Sequence, residues 1–188
     1  NDFDKAVGDT SSISSDHPIF AFTDNLKASA YYMMGSYQNA LSYYEDCISF
    51  SKKLSTKGKD KSFIKQKEIN EESCRAGVAR SHFALKDYQK SSEYYALIPK
   101  DSYIWPELLF EEAWNSFYLK DYNRSLGKVV SYNAPVFSNI FKPEVFSLQA
   151  VSYLKLCHYD EAKKIADNFS KDYQKPGAML RKYILTRG

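Results

Sequence analysis

Lys86-Asp87-Tyr88, with Ser91 three places after the tyrosine, is one copy of a pattern that this chain writes four times. The others are Gly35-Ser36-Tyr37 with Ala40, Lys120-Asp121-Tyr122 with Ser125, and Cys157-His158-Tyr159 with Ala162. The four tyrosines stand 51, 34 and 37 residues apart. A period near 34 residues is the spacing of stacked helical hairpins. Two short helices cannot bury their apolar faces alone, so neighbouring hairpins stack into one continuous core. The expected fold class is therefore all-α, a right-handed α-solenoid of stacked antiparallel helical hairpins. Such solenoids usually hold something on a concave surface rather than carry out chemistry.

Small and bulky residues keep the same register. Ala28, Ala79, Ala113 and Ala150 each lie nine residues before their tyrosine. Three places further on come Tyr31, His82 and Tyr153, with Ser116 as the exception in the third copy. The second helix offers Ala40 and Tyr44, Ser91 and Tyr95, Ser125 and Val129, Ala162 and Ala166, closing on Cys47, Ile98, Tyr132 and Phe169. Over roughly residues 21–173 this resembles the tetratricopeptide repeat family in degenerate form. The usual turn glycine survives only at Gly35, and the closing proline is mostly displaced.

A walk along the chain places the elements. Residues 1–15, NDFDKAVGDTSSISS, read as a polar linker, and a start at Asn1 rather than Met suggests a processed form or a fragment. Residues 16–175 read as the repeat domain, with hairpins at about 16–53, 63–98, 102–132 and 143–173. Pro18 falls in or near the opening turn of the first helix. The insertion LSTKGKDKS at 54–62 accounts for the long first spacing. Ser102 is a plausible cap for the third hairpin, with Pro106 in an early turn. Asn133-Ala134-Pro135 ends that hairpin, and a loop through Phe141 leads on to Pro143. Residues 176–188 read as a new helix opening at Pro176, either capping the stack or continuing it.

Composition narrows the function. The 16 Tyr and 12 Phe among 188 residues suit a solenoid that must fill gaps between short helices. A net charge of +3 does not by itself nominate nucleic acid as a partner. No run approaches the roughly eighteen apolar residues of a membrane span. The lysines at 52, 53, 57, 59, 61, 65 and 67 read as a solvated loop and its flanks, with a weak contact to an anionic surface open to them. Catalytic and metal motifs are missing: Glu71-Glu72 and Glu111-Glu112 are adjacent pairs whose side chains diverge on a helix, and His82 falls at a packing position. No cofactor is expected, and the chain reads as a non-enzyme. Cys47, Cys74 and Cys157 have no metal-like spacing; Cys47 and Cys157 fall at small, buried register positions, which suggests free thiols acting as small apolar residues.

The resemblance also implies where a ligand would lie, because in the family ligands contact first-helix residues that face away from the partner helix. Carried over by register, the candidates here are Asn25, Tyr32, Arg80, Phe83, Phe110, Trp114, Phe117 and Tyr118. Family members that clamp a terminal carboxylate use Lys, Asn and Arg at such places. Only Asn25 and Arg80 fit that set, so the expectation is an apolar aromatic groove for a peptide or a partner helix. An aromatic stripe at helical spacing equally suits a core, and a terminal segment could occupy the groove. Two other classes stay open: a structural spacer in a bacterial envelope or motility assembly, and the regulatory arm of an enzyme outside this sequence. Similarity in composition to bacterial envelope repeat proteins points towards a periplasmic or envelope location.

Overall fold

In a computed structural model of the chain, which describes residues 2–10, 13, 14, 17, 19–137 and 143–187, all the regular structure is helical. The helices are α1 (Asp2–Thr10), α2 (Phe20–Met33), α3 (Tyr37–Lys53), α4 (Lys61–Ala84), α5 (Tyr88–Ala96), α6 (Trp105–Tyr118), α7 (Tyr122–Tyr132), α8 (Glu144–Lys155) and α9 (Tyr159–Arg187), with a 3-10 turn at Pro135–Phe137. Asp16, Pro18, Phe141 and Gly188 lie outside the described residues. The chain forms two compact units, residues 1–108 and 109–188, and α6 opens in the first and continues in the second.

The fourfold pattern is a fourfold turn. Gly35, Lys86, Lys120 and Cys157 all have positive φ, between 60° and 77°. At each, the amide of the left-handed residue donates to a carbonyl three residues back, and the next amide donates to one five residues back. The pairs run from Gly35 to Tyr32 and Ser36 to Tyr31, then Lys86 to Phe83 and Asp87 to His82. They continue from Lys120 to Phe117 and Asp121 to Ser116, and from Cys157 to Leu154 and His158 to Tyr153. This is the Schellman closure, which satisfies carbonyls left open at a helix end. The residue after the left-handed position then starts the next helix. Asp87 and Asp121 accept from the amides of Lys90 and Arg124, the ordinary N-cap bond. The tyrosine that follows packs back on the finished helix: Tyr37 on Tyr32 at 5.3 Å, Tyr88 on Phe83 at 5.4 Å and Tyr122 on Phe117 at 5.4 Å between ring centres.

In the first unit, α2 and α3 form a hairpin and α4 packs on both. Its core joins Ala28, Ala40, Leu41, Tyr44, Cys47, Cys74 and Val78. A second cluster holds Ala76, Ala79, Tyr95, Ile98 and Leu108. The small register residues are small because helices cross there: Ala28, Ala40, Ala79 and Ser91 are fully buried. Gly77 is smaller still, since a β-carbon there would fall on the Tyr44 ring. A layer out, Tyr31 stacks on Tyr43 and His82 on Tyr94. Burial pushes the His82 imidazole below its ordinary pKa, opposed by the Asp87 carboxylate. Asp24 is buried beside Lys27, and burial raises its carboxyl to about 6 against the pull of that lysine.

In the second unit, α7 packs on α8 and α8 on α9. Ala113, Ser125, Val129, Tyr132 and Ala162 are its buried register residues, and Leu148 and Ser152 of α8 are buried with them. Ser116 is the exception to the bulky layer; the register counterpart of Tyr43 and Tyr94 in this copy is Lys128, which pairs with Glu112.

Four expectations need correction. Residues 2–10 of the expected linker are the helix α1, which packs on α2; the stretch is polar in composition, yet Val7 and Thr10 lie on its covered side. Cys47 and Cys74 are not free thiols but form a disulfide, with Cα atoms 6.3 Å apart. They lie on α3 and α4, which pack directly together, so their side chains meet although 27 residues separate them. Cys157 is exposed rather than buried, because it occupies the left-handed turn position. Finally, Pro176 does not open a new helix; α9 runs through it to Arg187. Among the fourth-copy positions, Ala166 and Phe169 are exposed, and Ala150 is only partly buried.

Candidate functional site

The eight residues read as candidates divide between the units. Asn25 and Tyr32 on α2 and Arg80 and Phe83 on α4 belong to the first; Phe110, Trp114, Phe117 and Tyr118 on α6 belong to the second.

In the first unit each of the four already has a neighbour. Asn25 donates from Nδ2 to Oδ1 of the buried Asn70 at 2.8 Å. Asn70 in turn donates to the Ala21 carbonyl at 3.3 Å and reaches the Cys47 Sγ at 3.3 Å, so Asn25 is tied to the polar lining beside the disulfide. Tyr32 and Phe83 are engaged by the turn tyrosines. Arg80 faces Glu107 at 3.8 Å across a partly solvated gap. It also lies near the Tyr44 hydroxyl, which is 3.1 Å from the Ser29 hydroxyl. Burial raises the Tyr44 pKa, with Ser29 and Arg80 working against it. Arg80 is thus the charged member of a short polar row, and its pair with Glu107 is partly exposed to solvent.

In the second unit the four aromatics form one cluster along α6. Ring centres are 6.5 Å apart for Phe110 and Trp114, 5.8 Å for Trp114 and Phe117, 6.2 Å for Trp114 and Tyr118, and 5.8 Å for Phe117 and Tyr118. Most of these contacts are edge-on, the arrangement aromatic quadrupoles favour. Phe110 also reaches Tyr132, which stacks on Phe137. The cluster is neither core nor free surface: Phe110, Trp114 and Phe117 are half-buried, and Tyr118 is 46% exposed.

The repeat architecture described above is shared with solved proteins. Two crystal structures of a kinesin light chain candidate from Podosopora anserina, described as having nearly identical TPR-like repeats, superpose on this chain. One has a TM-score of 0.65 at 13% identity, covering 92% of this chain and 85% of the other. A variant of the same protein has a TM-score of 0.68 at 14% identity, covering 94% and 85%. The chain has the TPR-like repeat fold. No family model and no curated protein matches it by sequence. At such identity the likeness carries the fold alone, and the TPR-like turns here are built from Lys-Asp, Lys-Asp and Cys-His where only the first copy keeps glycine.

Sequence reasoning missed Glu107 as the partner of Arg80 and Asn70 as that of Asn25. Neither is spaced by any repeat rule. Among the described residues there is no cluster of His, Cys, Asp and Glu arranged to hold a metal ion, and no helix is long and apolar enough to cross a membrane.

Proposed function

We propose that this chain is a non-enzymatic protein-interaction scaffold that takes a peptide or a partner helix on the aromatic face of α6. The observation that carries this reading is the half-buried cluster of Phe110, Trp114, Phe117 and Tyr118, whose outermost member is 46% exposed. Large aromatic anchors on a rigid helix suit recognition, because they contribute wide contact area while losing little side-chain freedom on binding. The partner offers an apolar side chain to Trp114, flanked by Phe110 and Tyr118, with Phe117 held behind by Tyr122. In the first unit, Arg80 offers a contact to an anionic group, while Asn25, Tyr32 and Phe83 give the surface its shape.

The disulfide supports a compartment that lets such bonds persist, such as a periplasm or cell envelope. The spacer and regulatory-arm readings have no comparable observation in their favour.

Peptides selected on the intact chain from a randomised displayed library test the proposal. Trp114→Ala is expected to weaken the selected peptides by about 2 kcal/mol or more, roughly thirty-fold, with helicity by circular dichroism unchanged. Full affinity in the folded variant would move the contact elsewhere, and unfolding of the variant would make Trp114 a core residue.

A further inference from the structure

The apolar stripe of α9 begins as an ordinary packing face. Phe146 of α8 sits between Phe169 and Tyr173, 5.7 Å from each. At helical spacing the same face continues through Pro176, Met179, Leu180, Tyr183 and Ile184. Beyond Tyr173 the cover ends. Met179 is 73% exposed, Leu180 60%, Tyr183 52% and Ile184 60%. Four large apolar residues side by side in water mark a surface that meets something apolar.

The charges around the stripe identify the occupant. After Asp172, α9 carries Lys175, Arg181, Lys182 and Arg187 and not a single Asp or Glu. A second copy of the same helix would set like charges against each other. The surface that matches an apolar stripe rimmed wholly by cations is an apolar layer faced with anions. A lipid headgroup layer accommodates both, because Lys and Arg stems extend along it while their charged ends reach the phosphates. No stretch of α9 is apolar enough to cross a bilayer. Pro176 also supplies no N–H to the carbonyl one turn back, which loosens the helix where its cover stops.

We infer that residues 176–187 of α9 form a membrane-surface helix that lies on anionic lipid, with Met179, Leu180, Tyr183 and Ile184 inserted and Lys175, Arg181 and Lys182 at headgroup level. This does not depend on the peptide-binding reading of α6.

Co-sedimentation of the full chain with phosphatidylcholine vesicles, with and without 30 mol% phosphatidylserine, tests it. Binding to the anionic vesicles is expected to be at least about ten-fold tighter and to fall as salt is raised. Arg181→Glu with Lys182→Glu, and separately Leu180→Ser with Ile184→Ser, should each lower it about ten-fold or more with helicity retained. Equal binding to both vesicle types, or no binding, overturns the inference. Loss of binding through Lys57→Glu and Lys59→Glu, with both α9 variants unaffected, also overturns it and places the contact on the loop between α3 and α4. Concentration-dependent dimers in vesicle-free buffer that Leu180→Ser with Ile184→Ser abolishes, together with a failure to bind vesicles, would assign the stripe to a second copy instead.

Discussion

Removing the Cys47–Cys74 disulfide should weaken the first unit by a predictable amount. The bond joins α3 to α4 around the inserted loop and closes a segment of 27 residues. In the chain-entropy account, holding that loop closed in the unfolded state removes about 12 cal/mol/K, or about 3.5 kcal/mol at room temperature. That is a large share of the roughly 5–15 kcal/mol that stabilises a folded protein. Both sulfurs are fully buried in the core beside Ala28, Tyr44 and Val78, so the reduced protein must also repack two thiols there. At about 2–4 °C per kcal/mol for a chain of this size, melting should drop by about 7–14 °C.

The assay is thermal and guanidinium unfolding followed by circular dichroism, on the parent with and without dithiothreitol and on Cys47→Ala with Cys74→Ala. The double variant should resemble the reduced parent and should not respond to reductant. Thiol titration in denaturant should find one reactive group, from Cys157, before reduction and three after it. Three thiols before reduction, in protein prepared from an oxidising compartment, would refute the pairing. An unchanged melting point after verified reduction would refute the magnitude.

Two further predictions concern backbone and packing. Lys86 and Lys120 hold the left-handed turn conformation, φ 63° and 64°, at a cost glycine avoids, so Lys86→Gly and Lys120→Gly should each stabilise by about 0.5–1 kcal/mol in guanidinium unfolding; destabilisation by either would mean that the lysine side chain contributes more than the turn geometry. Gly77→Ala would raise helix propensity but drive its methyl into the Tyr44 ring, so unfolding measurements should show a net loss of about 1–3 kcal/mol, and a gain would contradict the packing of α4 on α3.

What was legible in the sequence was what three or four neighbouring residues decide. The Schellman closure needs one left-handed residue, one capping residue and one side chain to pack back, and Lys-Asp-Tyr is all of that written out. The fully buried alanines were legible for the same reason, since close helix crossings recur at a fixed offset from the turn. The disulfide was not, because pairing depends on which helices pack together after an insertion has shifted the period. The end of α9 misled for a different reason: a proline reads as a helix start, yet here one helix simply continues through it.

The internal repeats also separate what the hairpin fixes from what it leaves free. Nine residues before each turn tyrosine the chain always writes alanine, and five before it writes Tyr32, Phe83, Phe117 and Leu154, always apolar. Three of those four hold the turn tyrosine through ring contacts, so their character is fixed by the hairpin itself. Eight before, the residues are Ser29, Arg80, Trp114 and Val151; twelve before, Asn25, Ala76, Phe110 and Ser147; four before, Met33, Ala84, Tyr118 and Lys155. No packing rule yields such lists, since the same hairpin closes over all of them. The aromatic character of Trp114, Phe110 and Tyr118 is therefore not set by the repeat register, although Phe110 also packs on the buried Tyr132. The character of Phe117 is fixed by the hairpin itself. On the reading proposed for α6, recognition rests on the first three, and the fourth holds their helix end in place through Tyr122.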